Sequence, residues 1–254
     1  MLRRASICAF LIAFVALPSG HLAAADESAF SCAPGLSEVG HATCSFDPKL
    51  GDKNRTVPLV IFLHGLMPGD EAARHGWQSY VRDIAQHAGF AVLVPSGRLG
   101  AGPGRDPNIM AWPTSERARA EHEATVLEDW AKARETFEAE RGKKFTKVFV
   151  FGFSNGAYYA TSLAARARLA VNGYAVFGGG SGASYLRRQA AQVKLKPPMF
   201  VGIGKHDGAR KDARSLAQML KRLAWPHRFR ESQGGHNVTP AQAKEAVQYL
   251  EGAK

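Results

Sequence analysis

Five near-continuous apolar runs, Val57–Leu63, Phe90–Pro95, Val148–Phe153, Tyr174–Phe177 and Met199–Ile203, alternate with longer amphipathic stretches. Runs of this length without polar alternation suit strands buried on both faces, as in a parallel sheet. The stretches between and after them, Glu71–His87, Glu116–Arg141, Asn155–Arg168, Asp212–Leu223 and Pro240–Leu250, are predicted helices. Thr239 followed by Pro240 supplies the last with an N-cap and a preset first turn. A more polar segment, Arg228–Ser232, is expected as a strand near one edge, and residues 26–56 are irregular enough to hold only an edge hairpin. The repetition predicts an α/β fold with a mostly parallel central sheet and helices on both faces. One domain over residues 26–254 accounts for the length.

The first 25 residues stand apart. Arg3 and Arg4 precede an apolar run from Ile7 to Leu17, then Pro18-Ser19-Gly20 and Ala23-Ala24-Ala25. That order is expected of a secretory signal peptide cleaved near Ala25, with an apolar run too short to span a bilayer. Export to the periplasm or medium follows as an expectation, without stable membrane insertion. Cys8 leaves with the leader, and Cys32 and Cys44 are expected to pair in an oxidising compartment.

The chain has 33 basic and 22 acidic residues, and loses Arg3 and Arg4 with the leader. A net charge of +11, or +9 after cleavage, favours acidic partners at long range. The charges are nevertheless scattered over helical segments, with no basic stripe interleaved with aromatics, so nucleic-acid binding is not expected. The Gly-rich stretch from Ser96 to Gly104 is interrupted by Pro103 and opens no predicted helix, which argues against a dinucleotide site. The long loop over residues 96–113 is expected to wall a substrate cleft.

Gly152-Phe153-Ser154-Asn155-Gly156 joins a strong strand to a good helix. This is the context in which a sharp turn presents a serine above the C-terminal edge of a sheet, facing the positive end of a helix. A hydroxyl needs a base to attack at neutral pH, and the base needs an orienting acid. His236, after Gly234-Gly235 and before the final helix, is the expected base; His206 and His227 fit less well. Asp207, in the loop after Met199–Ile203, is the expected acid, with Asp212 as runner-up. The backbone N–H groups of Asn155 and Leu66 are the expected oxyanion donors, Leu66 lying in His64-Gly65-Leu66-Met67 after a buried strand. His64 is read as a brace for that loop. No histidine pair has metal-ligand spacing, and no metal is expected.

Together these residues resemble the α/β-hydrolase superfamily over about residues 57 to 250. Within it the chain is similar to secreted esterases of the polyhydroxybutyrate depolymerase and feruloyl or acetyl-xylan esterase group, and to dienelactone hydrolases and small carboxylesterases. The resemblance implies acyl transfer through a serine ester, without cofactor, on a small-molecule or oligomeric ester. The chain departs from the polymer depolymerases in lacking linker and binding modules. Asn155 stands where smaller residues are commoner and is read as a possible substrate contact. Met67, Trp112 and Tyr158 are candidates for the substrate pocket, and Arg98 and Arg105 for attraction of an acidic substrate. A peptidase or amidase using the same triad, and a non-catalytic envelope-binding protein on this scaffold, remain as alternatives.

Overall fold

The computed structural model describes residues 30–48 and 56–253; the expected leader lies outside them. In chain order the elements are β1 (Ser37–Glu38), β2 (Thr43–Phe46), β3 (Leu59–Leu63), β4 (Met67–Pro68), α1 (Glu71–Ala88), β5 (Ala91–Pro95), β6 (Arg98–Leu99), β7 (Ile109–Ala111), α2 (Glu116–Arg141), β8 (Val148–Phe153), α3 (Asn155–Ala165), β9 (Gly173–Phe177), α4 (Ser184–Ala191), β10 (Met199–Gly204), α5 (Arg210–Arg222), β11 (His227–Ser232) and α6 (Pro240–Gly252). From Ser31 onward they form one compact unit.

The main sheet runs β1-β2-β5-β3-β8-β9-β10-β11. It is parallel from β5 to β11, with β1 and β2 as an antiparallel hairpin on one edge. The strand period divides each buried run between two cores. Val148 and Val150 of β8, with Leu59, Ile61 and Leu63 of β3, face a layer that includes Val126 and Trp130 of α2, Leu163 of α3 and Leu216 of α5. Phe149 and Phe151, with Val60 and Phe62, face Val81 and Ile84 of α1 and Val247 and Leu250 of α6. Both faces of the sheet are therefore dry, which is why the strands read as unbroken apolar runs rather than alternating ones.

The helix ends follow their capping residues. Asp70 accepts from Ala73 N–H at α1 and Ser115 from Ala118 N–H at α2, while Thr239 and Gln242 form a capping box at α6. The N-cap of α3 is Ser154, and it makes no side-chain cap bond. Its hydroxyl is kept from the usual employment of a serine at that position.

The loop over residues 96–113 is more ordered than expected. Its β6 and β7 join β4 in a three-stranded antiparallel sheet, β4-β7-β6, that ties this loop to the segment after β3. Cys32 and Cys44 form a disulfide that anchors the residues before β1 to β2. Among the described residues, no helix is long and apolar enough to cross a membrane.

Candidate active site

Ser154 sits between β8 and α3 with φ 51° and ψ −116°, a conformation that costs a non-glycine residue free energy and is held here from both sides. Its N–H donates to the Phe177 carbonyl at 2.9 Å, and its carbonyl accepts from Ala157 N–H at 2.9 Å. The two flanking glycines make the turn sterically possible. A Cβ at position 152 would lie 2.3 Å from the Gly156 carbonyl oxygen, and one at 156 would lie 2.6 Å from that of Leu63. Both approaches are to backbone, which cannot swing away as a side chain could.

On the loop after β10, Asp207 is buried, and both of its carboxylate oxygens lie 3.0 Å from His236 Nδ1. Ala209 N–H, at 2.8 Å, fixes one of those oxygens. A carboxylate can only accept, so Nδ1 carries a hydrogen, and in the neutral imidazole Nε2 is then the free acceptor. The His236 loop is seated against the Asp207 loop by backbone bonds from Lys205 N–H to Ser232 and from His206 N–H to Gly234. The His236 ring lies on Phe153, the residue before Ser154, at 4.8 Å between centroids. Gly178 is pressed between them: a Cβ there would lie 3.0 Å from Phe153 and 3.1 Å from the imidazole. Among the described residues, neither His236 Nε2 nor the Ser154 hydroxyl has a hydrogen-bond partner. The Ser154 hydroxyl and the His236 imidazole are therefore not hydrogen-bonded to each other in this structure.

Gly65 borders Ser154 closely, since a Cβ on it would lie 3.0 Å from the serine Cβ. The N–H groups of Leu66 and Asn155 bond to no acceptor among the described residues. Asn155 is the first residue of α3, where an N–H has no intrahelical partner. His64, behind them, is buried; Nε2 accepts from Gly97 N–H at 2.9 Å and Nδ1 faces the Gly65 carbonyl at 2.5 Å. Burial pushes its imidazole down to about 4. His64 thus acts as a neutral brace between the loop after β3 and the loop after β5.

The dienelactone hydrolase family model matches residues 53–237. The chain belongs to the dienelactone hydrolase family. As a member of that family it is a hydrolase, and its fold is the α/β-hydrolase fold. No curated protein sequence matches it. Among solved structures, that of YahD with malic acid superposes with a TM-score of 0.55 at 17% identity, covering 84% of this chain and 98% of that one. Esterase PE8 gives 0.55 at 18% identity, covering 82% and 96%. S-formylglutathione hydrolase (FrmB) from Staphylococcus aureus gives 0.55 at 16%, covering 82% and 89%. At such identities the likeness is one of fold.

In this dienelactone hydrolase family member two clefts reach the residues on either side of Ser154. One, of about 420 Å³, includes His64, Leu66, Met67, Phe153 and His236. The other, of about 390 Å³, includes Asn155, Tyr158, Ser181 and Tyr185. A larger cleft of about 640 Å³, walled by Trp130, Arg134 and Val171, includes the first residue of β8, at the opposite end of that strand from Ser154. Met67 and Tyr158 thus line different clefts.

Trp112 lines neither. It is fully buried, stacked on Tyr159 at 6.1 Å with 2° between planes, and its Nε1–H donates to the His64 carbonyl at 3.0 Å. It belongs to the core that carries the site, because an indole this large is best placed where its ring is dry and its N–H is bonded. The Asn155 side chain, mostly buried, lines the second cleft and accepts from Trp112 N–H at 2.7 Å through Oδ1. Arg98 is paired with Asp129, while the exposed Arg105 lies 3.7 Å from Glu121, a carboxylate that Arg117 holds at 2.9 Å. Asp212, the alternative acid, accepts from the Tyr158 hydroxyl. Trp77, Tyr80 and Val238, all in the His236 cleft, are additions that sequence reasoning missed. The face of α1 with Ala73, Gly76, Trp77 and Tyr80 at helical spacing was the available signal.

The buried His64 sets a pH dependence. In the unfolded chain this group takes a proton below about 6.5, whereas in the fold it does so at about 4. Stability is therefore full at pH 7 and falls as the pH drops from 6.5 to about 4, by about 3 kcal/mol from this residue. Urea denaturation of wild type and His64→Gln at pH 7 and pH 4.5 checks it. Equal pH dependence in both proteins would show that His64 is not responsible.

Proposed function

We propose that this hydrolase is an exported serine esterase that cleaves carboxylic esters through an acyl-enzyme. The reading rests above all on the buried Asp207 holding a bare-Nε2 imidazole against Phe153, next to a serine whose hydroxyl is spared from capping. Ser154 Oγ attacks the ester carbonyl carbon while its proton passes to His236 Nε2. Negative charge gathers on the former carbonyl oxygen, where the Leu66 and Asn155 N–H groups and the N-terminus of α3 hold it. The imidazolium, steadied by Asp207, returns the proton to the alcohol oxygen as the ester bond breaks. Water then attacks the Ser154 ester by the same route, releasing the acid and restoring the hydroxyl. The seat of specificity for esters over amides is the pocket, since the triad serves both.

A fluorophosphonate probe is expected to label the wild type at Ser154, with Ser154→Ala unlabelled. Parallel assays on nitrophenyl acyl esters and aminoacyl amides are expected to favour the esters. Absence of labelling in the folded wild type would dismiss the serine mechanism, and preference for amides would make the chain a peptidase or amidase. Export is supported by the leader-like N-terminus and by the Cys32–Cys44 disulfide. The exported protein is expected to begin at Asp26 and to gain the mass of two hydrogens on reduction. Intact-mass measurement reads both, and a chain retaining Met1 would refute cleavage.

A further inference from the structure

The cleft beside His236 is built for a particular half of the substrate. One wall is a face of α1, where Ala73, Gly76, Trp77 and Tyr80 recur one helical turn apart. Its aromatic floor runs from Trp77 to Phe153, stacked at 6.0 Å with 17° between planes, and from Phe153 to the His236 ring at 4.8 Å. Tyr80 donates its hydroxyl hydrogen to the Val238 carbonyl, which fastens this wall to the loop that carries His236. Among the described residues no Asp, Glu, Lys or Arg lines the cleft, in a chain of net charge +11.

Gly76 is the informative residue. Glycine inside a helix is destabilising relative to alanine, because it has more backbone freedom to lose on folding. Packing does not require it here, since a Cβ at position 76 would meet nothing within 4 Å. Gly76 lines the cleft beside Trp77 without a side chain, and the space a Cβ would take there is open.

Proton transfer decides which half of the ester lies there. In the acyl-enzyme mechanism proposed above, on which this inference rests, the His236 Nε2–H proton goes to the alkoxy oxygen as its bond to the carbonyl carbon breaks. The neutral alcohol then leaves past the imidazole, and the acyl group stays on Ser154 Oγ. His236 lines this cleft and does not line the one containing Asn155 and Tyr158. We propose that the cleft between α1 and the His236 loop is the leaving-alcohol subsite, that it takes an uncharged aromatic or bulky apolar alcohol, and that Gly76 sets the size it admits. The acyl chain lies in the cleft of Tyr158, Ser181 and Tyr185.

The test crosses two ester series with Gly76→Leu, and with Gly76→Ala as a milder variant. One series keeps the acetyl group and varies the alcohol from ethanol to benzyl alcohol to naphthylmethanol. The other keeps ethanol and varies the acid from acetic to phenylacetic to naphthylacetic. Gly76→Leu is expected to lower the kcat/KM ratio of naphthylmethyl acetate to ethyl acetate by about 10- to 100-fold, the range a few methylenes decide in an apolar pocket. Gly76→Ala is expected to give a smaller shift in the same direction. The order of preference among the ethyl esters is expected to hold in both variants. Thermal denaturation, expected at or above the wild-type midpoint because the helix loses a glycine, shows that lost turnover is not lost fold. A change in the acid series with the alcohol series intact would make this the acyl site and overturn the proposal. So would no change in either series. Absence of fluorophosphonate labelling in the folded wild type would instead overturn the esterase reading itself, which separates the two failures.

Discussion

Asp207→Asn is expected to lower kcat by about 10⁴-fold with the fold intact, against about 10⁶-fold for Ser154→Ala, whereas Asp212→Asn stays close to wild type. The reason lies in what each carboxylate holds. Both Asp207 oxygens lie 3.0 Å from His236 Nδ1, and one also accepts Ala209 N–H at 2.8 Å. With asparagine there, an amide N–H can face Nδ1, so the ring hydrogen moves to Nε2 and the base that should receive the serine proton is blocked. Asp212 instead accepts from Tyr158 on α3. Removing its charge loosens one wall of the second cleft without touching the imidazole. Steady-state rates on one good ester, with circular dichroism of each variant, check the ranking. Near-wild-type turnover by Asp207→Asn would remove it from the triad.

What the sequence made legible and what it hid divide along physical lines. The buried strands were visible because both faces are dry, so β8 shows as the run Val148–Phe153 with the same limits in structure and pattern. The bounds of α2 were visible for a local reason too: Ser115 caps it and Gly142, at φ 65°, ends it. Where ends are set by backbone rather than composition, the pattern ran on. It carried α3 to Arg168, but the helix stops at Ala165, with Ala167 at φ 49°. Helix α4 went unseen because it buries just Leu186 and Ala190, too few to set a period. Strands β4, β6 and β7 have two or three residues each, shorter than any alternation can register.

The site divides in the same way. The sharp turn at Ser154 was readable because its steric demands fall on Gly152 and Gly156, two positions from Ser154. The wall of the His236 cleft was not, because it joins Tyr80 to Val238 across 158 positions. On α1, an aromatic facing a cleft and an aromatic facing a core give the same periodic signal. Of the two arginines weighed as attractors for an acidic substrate, Arg98 is turned to Asp129 and Arg105 to Glu121, and among the described residues no Asp, Glu, Lys or Arg lines the cleft at His236.

Trp112→Ala is expected to destabilise the fold by about 3–5 kcal/mol and to lower the melting midpoint by roughly 10 °C, with KM little changed at temperatures where the protein stays folded. As a pocket residue, Trp112 would behave in the reverse way, raising KM at unchanged stability. The structure favours the first outcome because the indole is wedged between Trp130, at 5.5 Å, and Tyr159, at 6.1 Å, with no surface exposed. Its Nε1–H also holds the His64 carbonyl, which accepts Gly156 N–H as well, at 3.0 Å. One side chain thereby links the loop of Leu66 to the first turn of α3, the two places from which the proposed oxyanion donors come. Trp112→Phe keeps a ring in the stack and deletes the N–H, so it is expected to cost less stability, about 1–3 kcal/mol for leaving part of that carbonyl's bonding unmet. If the Leu66 and Asn155 donors depend on that link, Trp112→Phe lowers kcat more than it raises KM, because the charge they hold develops only after attack. Rates and melting curves of the two variants on one ester decide between a buried strut and a substrate contact.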